Sequence, residues 1–265
     1  MSFQSKRIQL MNSVKYRSLQ SFKFYFLKYF YRKKRTKAIN LLNHEQNLII
    51  VDNNFLKNKY ENEFAECLSI KEETNIKFKK LSKKIDLKMH GVKYPELLYI
   101  ILKYTKPTKV LECGVWLGLS SNFILAAGIT YDTKFKLHST DLPRFDLKNS
   151  DNLIGYLVNT KFKNNWELFV GKDRKLIPKL IQDNKYSFYY FDSDKSVSGK
   201  LFQLNQVLLN TEDYIVLFDD IEDSLFWFRK EVSKLNKVLL RYEEKYFGII
   251  FSDGYQKIIE GLFNE

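Results

Sequence analysis

The 265-residue sequence predicts an α/β protein: a mostly parallel sheet with helices on both faces, closed by an antiparallel hairpin and preceded by a basic helical extension. Three observations predict it. Beyond Gly91, short apolar runs alternate with helical stretches, the pattern of a parallel sheet covered on both sides. The last two runs, Val238 to Tyr242 and Tyr246 to Phe251, lie three residues apart, a spacing that suits a hairpin. Residues 1–40 hold eleven of the 44 Lys and Arg and no acid. The net charge of +13 therefore belongs to this arm, and the remaining 225 residues are close to neutral.

Taken in order, residues 1–90 read as the extension and residues 91–265 as the main domain. In the arm, Leu19, Phe22, Phe26, Tyr29 and Phe30 share one face of a helical wheel, and Arg17, Lys28, Arg32 and Arg35 point the other way. No apolar run approaches the ~20 residues of a membrane span, and no secretory leader is recognisable. Residues 45–90 read as mostly helical. Tyr94 to Tyr104 is an apolar helix with Pro95 in its first turn, ended by Lys106 and Pro107. The strands expected next are Lys109 to Cys113, Lys136 to Thr140, Trp166 to Val170, Ser187 to Phe191 and Tyr214 to Phe218. Between them Ser120 to Gly128, Arg174 to Gln182 and Ser198 to Leu209 read as helices.

Composition narrows the chemistry. The two cysteines, Cys67 and Cys113, form no CxxC pair, which reads as a reducing cytosol without a disulfide. Three scattered histidines argue against a zinc site, and no GxSxG elbow exists to place a nucleophilic serine.

The segment Lys109-Val-Leu-Glu-Cys-Gly-Val-Trp-Leu-Gly-Leu-Ser-Ser121 carries the most information. A buried strand ends at Glu112, a turn holds Gly114 and Gly118, and a helix opens at Ser120. Glycines let a backbone approach a ligand closely, and a helix N-terminus offers unpaired N–H groups to a carboxylate. Asp141 ends the following strand, where an acid can hold both hydroxyls of a ribose. A bulky residue at Gly118 is expected to abolish such binding without harming the fold. An ordinary strand–helix turn with incidental glycines is the plainer alternative. NAD fits less well, because the spacing lacks GxGxxG and Trp116 would crowd a diphosphate.

Two aromatic strands run into acids: Tyr189-Tyr-Phe-Asp-Ser-Asp-Lys195 and Ile215-Val-Leu-Phe-Asp-Asp-Ile221. Carboxyl ends of parallel strands gather at one edge, so Asp192, Asp219 and Asp220 are expected to meet there. Crowded carboxylates repel unless a cation joins them, and three oxygen ligands with room for water suit Mg²⁺. Solvated strand-end acids are the alternative.

From Tyr94 to Phe251 the chain resembles the class I, S-adenosylmethionine-dependent methyltransferases. Gly114-Val-Trp-Leu-Gly-Leu-Ser-Ser121 is similar to the GVWRGGS loop of the macrocin O-methyltransferase group, and more widely to the E-x-G-x-x-x-G-x-S motif of small-molecule O-methyltransferases. The resemblance implies a Rossmann-like sheet, a methionine end lined by Glu112, Gly114, Gly118 and Ser120, and a ribose held by Asp141. Val170-Gly-Lys-Asp-Arg-Lys-Leu-Ile-Pro178 is similar to V-G-D-S-x-x-x-L-P, with Lys172 where the family often has an acid. Phe191-Asp-Ser-Asp-Lys-Ser-Val-Ser-Gly199 is similar to D-G-D-H-S-Y-E-G, with Lys195 and Val197 as departures. The metal-dependent members imply a cation on Asp192, Asp219 and Asp220. Lys195 follows Asp192 at the spacing of the metal-ligand Asp and catalytic Lys of catechol O-methyltransferase, which implies a base beside the metal. Without a metal, Asp192 is the candidate base.

The expected activity is O-methylation of a small polar acceptor, a sugar or glycoconjugate precursor, with Mg²⁺ assisting. Nucleic-acid methylation is disfavoured by the missing [DN]PP[YFW] signature and by acids at the active edge. A non-catalytic cofactor-binding or scaffold protein is the third reading. The arm is expected to meet an anionic membrane surface, or else to dock on the catalytic domain, making the protein cytoplasmic and peripheral to the membrane.

Overall fold

In chain order the strands are β1 (Leu48–Val51), β2 (Lys109–Cys113), β3 (Lys136–Asp141), β4 (Trp166–Val170), β5 (Phe188–Phe191), β6 (Ile215–Phe218), β7 (Lys237–Tyr242) and β8 (Lys245–Phe251). They form one sheet ordered β1-β7-β8-β6-β5-β2-β3-β4 in a computed structural model that describes residues 31–85, 95–144 and 150–264. All pairings are parallel except those of β8, which runs antiparallel to both β6 and β7. Strands β5 and β6 are buried at every residue, which is why they read as unbroken apolar runs.

The described helices are α1 (residues 31–42), α2 (Asn53–Lys59), α3 (Glu61–Ser82), α4 (Pro95–Thr105), α5 (Leu119–Tyr131), α6 (Asp173–Asp183), α7 (Val197–Asn210), α8 (Lys230–Ser233) and α9 (Gln256–Phe263). Side chains of α3, α4, α5 and α9 share one apolar core on one face of the sheet. Leu42 of α1, Ile177, Leu180 and Ile181 of α6, and Leu204 and Val207 of α7 share a second core on the other face. This is the α/β, Rossmann-like sheet with a closing hairpin that the sequence predicts.

Two expectations change in detail, and a third falls outside the described residues. Residues 45–90 are not all helix: Leu48–Val51 pairs parallel with β7 and extends the sheet from within the segment read as the extension. The hairpin turn is Glu243-Glu244 and not three residues, because Lys245 already pairs with Tyr242. The aromatic wheel of the arm, Leu19 to Phe30, lies outside the described residues, and so does the boundary near Gly91.

The topology fixes where a ligand can sit. From β2 the chain moves outward through β3 and β4, then returns to β5 and β6 on the other side of β2. The crevice at the carboxyl ends of β2 and β5 is this switch point, where open α/β sheets bind their ligands.

Candidate functional site

A cleft of about 1230 Å³ opens there. It is lined by the β2–α5 loop, by Asp141, by the ends of β5 and β6, and by residues of α1 and of the β7–β8 hairpin. The sequence-predicted residues Gly114, Ser120, Asp141, Asp192, Lys195, Asp219 and Asp220 all face it.

The loop after β2 is shaped by contacts of the protein with itself. Gly114 has φ +97°, and a Cβ there would lie 2.9 Å from the carbonyl carbon of Asp192. Gly118 has φ +83°, and its Cβ would fall 2.7 Å from the Cα of Gly155. Any side chain at Gly118 therefore displaces backbone, so the expectation that a bulky residue there spares the fold does not survive. Asp141 accepts from the amides of Val115 (3.0 Å) and Trp116 (2.5 Å) through Oδ2, and from Leu142 (2.6 Å) through Oδ1. These bonds hold Trp116 at φ +47°, a costly conformation for a residue with a side chain. Asp141 would have to share its remaining lone pairs with any ribose.

Glu112 lies behind the cleft and does not line it. It is fully buried, and its oxygens accept from Ser120 Oγ (2.6 Å), Ser121 Oγ (2.6 Å) and Ser139 Oγ (2.7 Å). Burial pushes its pKa up to about 7, against the pull of these hydroxyls. Its visible work is to pin the first turn of α5. That turn is preceded by Gly118, which has no side chain with which to cap it. Leu119 and Ser120 of this uncapped first turn line the cleft, and an uncapped helix N-terminus suits an anion.

Asp192, Asp219 and Asp220 present oxygens that lie within 4.8 Å of one another. Asp192 Oδ1 is buried and accepts no hydrogen bond. Burial first, and Asp219 second, raise the pKa of Asp192 to about 7. Lys195 pairs with Asp220 and stands 3.6 Å from Asp192. Lys245 Nζ lies 2.8 Å from Asp219 Oδ1 and 2.7 Å from Asp220 Oδ1. Beneath them Lys200 is fully buried and donates to the carbonyl oxygen of Asp219 at 2.5 Å. Burial lowers the pKa of Lys200 to about 8, although Asp219 and Asp192 oppose the shift.

Sequence reasoning missed several cleft residues. Asp173 opens α6, accepts from Thr140 Oγ1 (3.0 Å) and Ser193 Oγ, and faces the cleft one residue beyond Lys172. Lys172 lines the cleft too, and an acid thus stands one position beyond it. Tyr31 and Arg35 of α1 line the same cleft. Arg35 meets Glu222 and Asp223, each at 3.1 Å, just after β6. For Lys245, Arg35 and Tyr31 no local motif gave a signal, because their partners are distant in sequence.

No protein-family profile matches the chain, and no curated protein matches it. Solved structures do. An SAH-bound methyltransferase from Podospora anserina aligns with a TM-score of 0.53 at 13% identity, covering 73% of this chain and 97% of that one. An O-methyltransferase from Bacillus cereus in complex with SAH aligns with a TM-score of 0.51 at 11% identity, covering 69% and 90%. TomG, an O-methyltransferase from Streptomyces achromogenes in complex with SAM, aligns with a TM-score of 0.50 at 14% identity, covering 69% and 88%. The fold is the one these methyltransferases share.

Proposed function

We propose that the protein transfers the methyl group of S-adenosylmethionine to a hydroxyl of a small polar acceptor, a sugar or glycoconjugate precursor. The observation that carries this reading is a single cleft holding both an uncapped helix N-terminus and three converging carboxylates. The residues fit both implied groups. The amides opening α5, Ser120 and Asp141 would hold the donor, and the loop is similar to that of the macrocin O-methyltransferase group. Asp192, Asp219 and Asp220 would hold Mg²⁺, a reading supported by the buried oxygen of Asp192 that accepts no hydrogen bond.

When bound, S-adenosylmethionine supplies an activated methyl group, and a divalent cation supplies charge that acidifies an acceptor hydroxyl. The chain's own part is to align that hydroxyl and to take its proton. Lys195 Nζ contacts Asp192 and Asp220, and in its neutral form it would be the group that receives the proton. A second reading dispenses with the metal. It is favoured by the contacts of Lys195 and Lys245 with the acids, and it makes Asp192 the base. The acids lining the cleft would repel nucleic-acid phosphates, so RNA is the disfavoured acceptor. The basic arm would bring the protein to an anionic membrane surface from the cytoplasm.

Labelled methyl transfer to a monosaccharide panel and to RNA tests the reading. Sugar labelling that stops in EDTA and returns with Mg²⁺ is the expected outcome. Labelling of RNA alone would overturn the acceptor class, and full-rate sugar labelling in EDTA would remove the metal and leave Asp192 as base.

A further inference from the structure

We infer that Lys245 is a built-in counter-cation for the Asp219–Asp220 pair, and that a divalent cation enters the acid cluster only by displacing it. The inference rests on the metal reading of the proposed function. The sheet topology explains how a lysine comes to be there. Parallel strands deliver their carboxyl ends to the ligand edge, and β8 is antiparallel to its neighbours. Phe218, the last residue of β6, pairs with Gly248, so the residues of β8 before Gly248 run past the end of β6. The two-residue turn Glu243-Glu244 and the Tyr242–Lys245 pair then fix the register. Lys245 thus projects over the carboxylates that follow β6, where its Nζ bridges one oxygen of each at 2.8 and 2.7 Å.

Those contacts resemble what a cation would make. Asp219 and Asp220 are nearly buried, with side chains 6% and 9% exposed, and Lys245 is 20% exposed. Two adjacent carboxylates in so dry a place repel strongly unless a positive charge lies between them. Lys195 meets the outer oxygen of Asp220, and Lys200 meets a backbone carbonyl. Lys245 is the ammonium group, among the described residues, that touches both carboxylates of the pair. A metal ion held by the cluster would draw on oxygens of the same two carboxylates, so ion and ammonium would compete for them. Lys245 would keep the acids assembled while no ion is bound, and it would set how tightly one binds.

The test needs neither methyl donor nor acceptor. Mn²⁺ binding to the full chain is measured by electron paramagnetic resonance, and the thermal midpoint is measured in EDTA. Lys245→Met should melt below wild type in EDTA and recover with Mn²⁺, and its Kd for Mn²⁺ should be at least about tenfold lower. Lys245→Gln, which keeps a polar donor without the charge, should show the same tightening if the methionine variant folds poorly. Equal affinity in wild type and both variants, abolished by Asp219→Asn, would overturn the role of Lys245 and leave the metal site standing. No binding by any of them would overturn both.

Discussion

Glu112 shows what the loop costs at the scale of one residue. A fully buried carboxyl is raised by desolvation, and three serine hydroxyls offset this only in part, leaving its pKa at about 7 against an ordinary 4.5. Between those two values the folded protein keeps a proton that the unfolded chain has lost. Stability contributed by this group is therefore whole below pH 4.5 and falls as pH rises toward 7. Glu112→Gln removes the titration, so denaturant midpoints measured across that interval should decline less steeply with pH than in wild type. An unchanged slope would show that Glu112 is not perturbed. Gly118→Ala should also destabilise, by about 1–3 kcal/mol, because φ +83° and the nearby Gly155 backbone leave no room for a methyl group. An unfolding midpoint equal to wild type would show that the loop can yield. Gly114, Gly118 and the strand-end acids were legible in the sequence because a strand–turn–helix motif places them locally. The reason for the glycines was not, since Asp192 and Gly155 reach them only through the fold. Lys245 and Lys200 were lost among 44 cations, with no spacing to distinguish them.

At the scale of elements, β2, β5, β6 and the hairpin were legible because buried strands are largely apolar runs with breakers between them, and β3 and the exposed edge strand β4 were legible from their spacing between helical stretches. Strand β1 was not, since Leu-Ile-Ile-Val beside a helical segment looks the same as a short helical stretch, and its partner β7 lies far along the chain. Helix α1 was not legible as part of the cleft, and Arg35, which the helical wheel sets beside Arg32 on the face away from the aromatics, instead lies on the inner face. Its inner face, with Arg35, Ala38 and Leu42, packs down, and Arg32, Lys33, Lys34 and Lys37 stay exposed. Arg35 fastens it to Glu222, which is 0% exposed and would be left without its ion pair on truncation. Breaking such a pair in the interior costs about 3–5 kcal/mol. Because Arg35 itself is 42% exposed, a discount to roughly 1–2 kcal/mol is appropriate. Arg35→Ala should therefore lower the thermal midpoint of the ligand-free full-length protein by several degrees. A full-length protein that melts like wild type would show that α1 is not held by this contact.

Across the whole molecule, charge is divided between a near-neutral α/β body and a basic arm, and the two meet in α1. Among the described residues no helix is long and apolar enough to cross a membrane. The fold also decides how the arm should be tested. Removing residues 1–40 would cut away Tyr31 and Arg35, which line the cleft, and would confuse loss of binding with damage to the body. Removing residues 1–30 takes away six basic residues and leaves α1 in place. Each basic residue near an anionic bilayer contributes about 1 kcal/mol at low salt, and the attraction fades as the Debye length shortens. The full chain should therefore float with phosphatidylglycerol-containing vesicles at low ionic strength, lose most of that binding at high salt, and ignore pure phosphatidylcholine. Deleting residues 1–30 should weaken flotation, and adding Lys33→Glu, Lys34→Glu and Lys37→Glu should abolish it, with SAH affinity retained throughout. Flotation that survives all of these changes would place the membrane contact elsewhere. No flotation of the intact chain would leave the arm without a membrane role.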